Sequence, residues 1–302
     1  MAFSYTTFED LAARLIAARE WFEQIGLATA DSRLQLVQLK VSELLGDLAS
    51  IPRQEVVDKW TDNSTYWTLA DALSFCEIAE QFSELPSHLL PRRKLATILT
   101  GPLSPLDENP SDASVQARNI LAELELAANL AAKGLIPLGF DDLHIRFHDR
   151  DMWFECKRIH SSGQLATHVK KATTQLTRAM PGDTARGFIV VVLDRLTGVD
   201  RRVLRIDHDD QTLRAAHEVV EAFLKEHGST FRSPVDTRIV GLGFILHFLV
   251  YSVPRHIVGI AFNLAIIPYV GRQLLEYRDR QLLESLAEHL STNARRREPP
   301  NA

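Results

Sequence analysis

Asp142, Glu155 and Lys157 bring two carboxylates and an amine to the two ends of one short stretch of the sequence. Asp142 is followed by LHIRFHDRDMWF and then by Glu155, Cys156 and Lys157. The segments LHIRF and MWFECKRI alternate apolar and polar residues around a polar HDRD turn, which predicts two paired strands. Side chains alternate along a strand, so Glu155 and Lys157 point to one face and Cys156 to the other. Carboxylates on adjoining strands suit a hard divalent cation such as Mg²⁺, which prefers oxygen ligands.

The elements that position this hairpin are predicted from hydrophobic periodicity. A helix, VQARNILAELELAANLAAKG, precedes it and ends at Gly134. Another helix covers roughly 163–180, and the apolar run GFIVVVLDRL follows as a buried strand. A helix near 210–227, strands around 238–251 and 256–268, and a final helix, RQLLEYRDRQLLESLAEHL, come before a polar tail, RRREPPNA. This order predicts an α/β fold with a mixed sheet flanked by helices.

The first hundred residues have a different pattern. Residues 3 to about 98 carry apolar positions at helical spacing, as in FEDLAARLIAAREWF, which predicts an all-helical region. The segment GPLSPLDENPSDAS (101–114) is rich in proline and acidic residues and has no periodicity. We therefore predict a helical N-terminal domain (1–100), a linker (101–114) and a second domain (115–302). The N-terminal helices are expected to pack on the second domain, to form a homodimer or to bind a partner protein.

The hairpin and the helices beside it resemble the PD-(D/E)XK, or restriction-endonuclease-like, nuclease superfamily. The family signature is an Asp, a short β-hairpin, then Asp or Glu, any residue and Lys, and FDDLHIRFHDRDMWFECKR fits it. Asp142, Glu155 and Lys157 are the matching residues, while Asp141 stands where the family name has Pro and remains a rival ligand. The resemblance implies a restriction-endonuclease-like αβββαβ core.

The family also has a Glu on the helix before the hairpin, about three turns ahead of the glycine that ends it. AELELAANLAAKG supplies Glu123, with Glu125 as a close competitor. Residues two apart on a helix face different ways, so one of the two is expected to be ordinary helix surface. We favour Glu123 because its separation from Gly134 is similar to that in Holliday-junction resolvases and Mrr-type restriction enzymes. The resemblance covers roughly residues 119–194.

The activity that this resemblance implies is metal-dependent hydrolysis of phosphodiester bonds in nucleic acid, with DNA favoured over RNA. Mg²⁺ or Mn²⁺ would be held by Asp142, Glu155 and the backbone carbonyl of Cys156, with Glu123 serving a second ion or a water. A bound divalent ion lowers the pKa of its water. Lys157 would orient the attacking water or offset the charge that builds on the transition state.

In such nucleases the helix after the Lys strand contributes a polar residue that faces the site and basic residues that face the phosphates. The residues expected to contact nucleic acid are Arg158, Gln164, His168, Lys170, Lys171 and Gln175. The net charge is −5, but residues 155–205 carry ten basic against four acidic residues. Residues 1–110 carry nine basic against sixteen acidic residues. Since the local field decides where a phosphate binds, residues 155–205 are the expected nucleic-acid surface.

Other classes of function lack their motifs. No phosphate-binding loop with Gly-Lys-Ser/Thr, no His-Glu-x-x-His and no Gly-x-Ser-x-Gly occurs. Cys76 and Cys156 are too few for a disulfide framework or a four-ligand zinc site, and both are expected to be buried. The opening residues do not form a secretory signal, and the apolar stretch 239–253 is too short to span a bilayer, so a cytoplasmic protein is expected. The alternative function is a catalytically inactive module of the same fold that binds nucleic acid or acts as a scaffold.

Overall fold

The fold is an eight-stranded sheet with helices on both faces. The computed structural model describes residues 2–52, 55, 63–104, 107–108, 113–198, 202–208, 210–232, 236–269 and 276–292. The strands are β1 (Ala2–Thr7), β2 (Pro137–Gly139), β3 (Leu143–Phe147), β4 (Arg150–Arg158), β5 (Arg186–Val192), β6 (Val203–Ile206), β7 (Ile239–Ser252) and β8 (Ile257–Pro268). The α-helices are α1 (Phe8–Gln24), α2 (Arg33–Ser50), α3 (Asn63–Phe82), α4 (Arg92–Ile98), α5 (Ala113–Ala131), α6 (Leu165–Ala179), α7 (Asp210–His227) and α8 (Tyr277–Thr292). The predicted tail RRREPPNA lies outside the described residues.

The strand order in the sheet is β1-β8-β7-β5-β4-β3-β2, and β6 pairs with β7 beyond the end of β5. β5 is parallel to both β4 and β7, and β6 is parallel to β7, whereas the remaining pairs are antiparallel. Every residue of β5 and of β7 is buried, as expected of inner strands that helices cover on both faces. The predicted α/β fold with a mixed sheet flanked by helices is confirmed.

The two faces of the sheet carry separate hydrophobic cores. On one face, side chains of α1 to α5 and α8 pack against the strand residues that point to that face, such as Phe154 and Cys156. On the other face, α6 and α7 pack against residues that include Ile189 and Phe244. The N-terminal helices therefore pack on the sheet, one of the arrangements expected from the sequence. Among the described residues, no helix has both the length and the apolar character needed to cross a bilayer.

The region predicted to be all-helical begins with a strand, so that prediction is wrong for residues 2–7. β1 forms the sheet edge by antiparallel pairing with β8, from Ala2 opposite Leu264 to Thr7 opposite Gly259. Thr7 also starts α1, because its hydroxyl oxygen accepts a hydrogen bond from the Asp10 N–H at 3.1 Å. Because the strand is only six residues long and runs directly into a helix, its alternation of side chains could not be recognised in the sequence.

The predicted linker is described at residues 101–104, 107–108 and 113–114, and its other residues lie outside the description. The Glu108 side chain is 1% exposed and pairs with Arg118 and Arg158, each at 2.9 Å. This part of the segment is therefore anchored in the interior, which is not the behaviour expected of a solvent-exposed linker. The division of the chain into two domains at this segment stays a prediction.

Candidate active site

The strand register brings Asp142 level with Glu155. β3 and β4 form an antiparallel hairpin in which Leu143 lies opposite Phe154. One residue beyond that pair, Asp142 lies in the turn between β2 and β3, and the same register places Glu155 across from it. Asp142 is exposed, as is its predicted rival Asp141. The backbone pairing thus brings Asp142 and Glu155 to the same end of the hairpin.

Glu155 and Lys157 share one face of β4, as strand alternation predicts. Cys156 is buried on the opposite face, whereas Glu155 and Lys157 are half-buried. The Lys157 ammonium donates hydrogen bonds to Glu155 Oε1 at 2.5 Å and to Gln175 Oε1 of α6 at 2.7 Å. Glu155 and Lys157 therefore form an ion pair, and Gln175 of α6 holds the Lys157 ammonium in place.

Burial and nearby charges shift the pKa of Glu155. Burial raises the pKa of Glu155, and the ion pair with Lys157 only partly opposes that effect. The negative charges of Glu123 and Asp142 raise the Glu155 pKa further. A cation placed among these three groups would favour their ionised forms.

The two glutamates of α5 have different surroundings. Glu123 is partly exposed, and its Oε2 accepts a hydrogen bond from the Lys94 ammonium at 2.9 Å. Glu125 is buried, and its Oε1 lies 2.7 Å from the Ser74 hydroxyl and 2.9 Å from His247 Nε2. Glu123 thus forms a partly exposed ion pair with Lys94, whereas Glu125 belongs to a buried network. The expectation that one of them is ordinary helix surface is wrong for Glu125.

The carboxylate oxygens of the candidate site suit a hard cation, but their side chains do not form a complete set of metal ligands. Within the described ranges, no three side chains of His, Cys, Asp or Glu are close enough together to hold a metal ion. Two ammonium groups contact the acids directly, that of Lys157 at Glu155 and that of Lys94 at Glu123. Asp142 and Glu155, level with each other in the hairpin, are the residues that would hold Mg²⁺ or Mn²⁺ through carboxylate oxygens.

The outer surface of α6 carries most of the residues predicted to contact nucleic acid. Lys170, Lys171 and Gln175 are exposed and line a shallow pocket together with two threonines. Gln164 is exposed in a short 3₁₀ turn just before the helix. His168 is half-buried, and burial followed by the charges of Lys171 and Lys157 lowers its pKa, which keeps the ring neutral at pH 7.

Arg158 is not part of this surface, although the sequence placed it among the nucleic-acid contacts. It is 7% exposed and lies on the buried face of β4, the same face as Cys156. Its guanidinium pairs with Glu108 and lies over the Trp67 ring, with 5.9 Å between Cζ and the ring centroid. The strand alternation that puts Lys157 on the open face puts Arg158 on the opposite one.

Three features of this region were missed from the sequence. Lys94 reaches Glu123 across 29 positions, and Glu108 reaches Arg158 across 50. The network around Glu125 includes His247, which is 122 positions away. None of these contacts follows a helix or strand period, so no local pattern could have indicated them.

Comparison with protein-family models, with curated proteins and with solved structures finds no match to this chain. A function for the site must therefore be argued from this chain's own residues and their contacts.

Proposed function

We propose that this protein is a metal-dependent nuclease that hydrolyses phosphodiester bonds in nucleic acid, with DNA favoured over RNA. The observation that carries the proposal is the arrangement at the end of the β3–β4 hairpin. Asp142 and Glu155 are level in the register, and Lys157 lies on the same strand face as Glu155, hydrogen-bonded to it and to Gln175. Phosphodiester hydrolysis of this kind requires acids that bind a hard cation. It also requires an amine beside them that contacts the phosphate.

The order of the surrounding elements supports the same proposal. From α5 to β5 the chain runs helix, strand, strand, strand, helix, strand. This is the αβββαβ order that the sequence resemblance to restriction-endonuclease-like nucleases implies. β4 and β5 are parallel and α6 connects them, so α6 covers the sheet face that carries Glu155 and Lys157.

Each residue of the proposed site has a role that follows from its position. Mg²⁺ or Mn²⁺, when bound, would activate the attacking water and offset charge on the phosphate. Asp142 and Glu155 would hold that ion, with the Cys156 backbone carbonyl as a further oxygen ligand. Lys157 is held by Gln175, so its ammonium group is already oriented and can donate to a phosphate oxygen.

The exposed lysines of α6 provide the surface for the substrate backbone. Lys170 and Lys171 lie on the same helix as Gln175, next to the Lys157 side chain. Phosphate contacts of this kind are independent of sequence and set the register of the nucleic acid on the protein. The proposed reaction centre and the proposed phosphate contacts therefore lie on one continuous face.

Cleavage assays with matched variants test the proposal. Purified protein is incubated with plasmid, linear and single-stranded DNA, with Mg²⁺, with Mn²⁺ or with EDTA. We expect metal-dependent cleavage that Asp142→Asn and Glu155→Gln each reduce by about 100-fold or more. Asp149→Asn, in the turn at the opposite end of the same hairpin, is the control and should keep full activity. Absence of cleavage by folded wild-type protein on every substrate would contradict the proposal.

A catalytically inactive module that binds nucleic acid is the second candidate. The observation that favours it is that Glu123 and Glu155 already have lysine partners in place of a metal ion. Titration with Mn²⁺ by calorimetry separates the two candidates. A nuclease site binds the ion and loses it in Asp142→Asn, whereas an inactive module gives no binding heat in either protein.

A further inference from the structure

Lys94 reaches the candidate site from a helix outside the segment that carries the sequence motif. Its ammonium group donates to Glu123 Oε2 at 2.9 Å and to the backbone carbonyl oxygen of Phe140. Phe140 is two residues before Asp142, so this one ammonium group joins α5 to the turn that presents Asp142. The Lys94 side chain is 21% exposed, so the ion pair lies in the wall of the site and is not a freely solvated surface pair.

The charges of the site set how many divalent ions it can accept. Glu123, Asp142 and Glu155 bring three negative charges, and Lys94 and Lys157 bring two positive ones. One negative charge remains, which one divalent ion more than neutralises. A second divalent ion at Glu123 would have to displace the Lys94 ammonium from Oε2 or lie close to its positive charge, which repels the ion.

We propose that the Lys94 ammonium takes the place of a second cation, so that this site binds a single divalent ion at Asp142 and Glu155. The inference rests on the proposed nuclease function and deepens it, since the motif resemblance alone left one or two ions open. In this arrangement Glu123 is not a metal ligand. It is a positioning residue that, with Lys94, fixes the turn before Asp142. Lys94 also makes the N-terminal helices part of the site, because α4 belongs to them.

The stoichiometry of Mn²⁺ binding to the full chain tests this inference without measuring activity. Calorimetric titration should give one ion for wild-type protein and one for Lys94→Arg, which keeps the positive charge. Lys94→Met removes the charge at similar length and should give two ions. The second ion should disappear in the double variant Lys94→Met/Glu123→Gln. Circular dichroism and thermal unfolding confirm that each variant is folded, and Lys94→Gln replaces Lys94→Met if the latter is not.

The outcomes distinguish this inference from the function on which it rests. Two ions in wild-type protein, or one ion in both wild-type protein and Lys94→Met, overturn the role of Lys94 while the nuclease site stands. No ion in wild-type protein but one in Lys94→Met, lost again in the double variant, supports the role of Lys94 and contradicts the nuclease proposal. No ion in any protein overturns both.

Discussion

The Nδ1 atom of His247 lies 2.7 Å from Asp194 Oδ2, in the interior of the protein. The other ring nitrogen, Nε2, lies 2.9 Å from Glu125 Oε1, so the imidazole bridges two buried carboxylates. Burial alone would lower the pKa of His247, but the two carboxylates outweigh it and raise the pKa well above 6.5. Burial would raise the pKa of Asp194, yet the charge and hydrogen bonds of His247 hold it below 3.8. The ring is therefore an imidazolium that donates from both nitrogens.

This network predicts how stability depends on pH. The contribution of His247 is fully present below its unfolded pKa of about 6.5 and is lost as the pH rises through its raised folded pKa. The contribution of Asp194 to stability is present above its unfolded pKa of about 3.9 and is lost as the pH falls through its lowered folded pKa. The free energy of unfolding should therefore be greatest between about pH 3.9 and about pH 6.5, and it should fall at alkaline pH.

The His247→Gln variant tests that dependence by urea denaturation at several pH values. Removing the imidazolium leaves the buried Asp194 and Glu125 carboxylates without the positive charge between them, which should cost about 3–5 kcal/mol near pH 6. The difference from wild-type protein should shrink as the pH rises from about 6.5 towards the raised pKa of folded His247. A difference that stays constant from pH 5 to pH 10 would show that the ring is not an imidazolium.

Glu108 should be a stability residue, although it lies in the segment predicted to be a linker. Its carboxylate is the shared partner of Arg118 and Arg158, whose side chains are 3% and 5% exposed. Glu108→Ala would leave both guanidinium groups buried without that partner, and we expect it to lower the unfolding free energy by about 3–5 kcal/mol. The neighbouring exposed Asp107 gives the control variant, Asp107→Ala, which should change stability by less than about 0.5 kcal/mol.

The lysines of α6 should govern affinity for nucleic acid through phosphate contacts. Lys170→Ala and Lys171→Ala should each weaken binding to a DNA duplex regardless of its sequence. Each should also reduce the slope of log K against log salt by about 0.9, which corresponds to one phosphate contact. Fluorescence anisotropy at several salt concentrations measures both effects. Lys225→Ala, on the exposed surface of α7, should leave the slope unchanged, and an equal loss there would mean that α6 is not the binding face.

Gln175 should influence the rate of cleavage by holding Lys157. Gln175→Ala removes the acceptor that lies 2.7 Å from the Lys157 ammonium, so the amine would sample other orientations. We expect a fall of about tenfold in the single-turnover rate, against about 100-fold or more for Lys157→Met. Gln24→Ala, on the exposed surface of α1, is the control. Equal rates for Gln175→Ala and Gln24→Ala would show that the hydrogen bond has no role in the reaction.

Much of the fold could be predicted from sequence because the patterns involved are local. The α5 helix with Gly134 after it, the β3–β4 hairpin and the α6 helix each occupy one continuous stretch with a clear period. Gly134 has a φ of 80°, the left-handed conformation that commonly ends a helix and that glycine adopts without strain. Within the hairpin, alternation alone assigned Glu155 and Lys157 to one face.

What could not be predicted depends on contacts between distant parts of the chain. β2, with three residues, and β6, with four, are too short to give a pattern and exist because their partner strands are there. The charge of Arg158 suggested a solvent-facing residue, but its buried carboxylate partner lies 50 positions earlier in the chain. The separation from Gly134 favoured Glu123 over Glu125, a choice that stays a prediction, and only the tertiary structure shows that Glu125 meets His247.

The pairing of β1 with β8 has a consequence for the order in which the chain can fold. Residues 2–7 are synthesised more than 250 positions before their partners, residues 259–264. Closing so long a loop is slow in folding kinetics, because chain entropy is lost before the strand contacts form. Until then β8 has an open edge, which is where intermolecular strand pairing begins. A newly synthesised chain should therefore be most prone to aggregate just before residues 2–7 join the sheet.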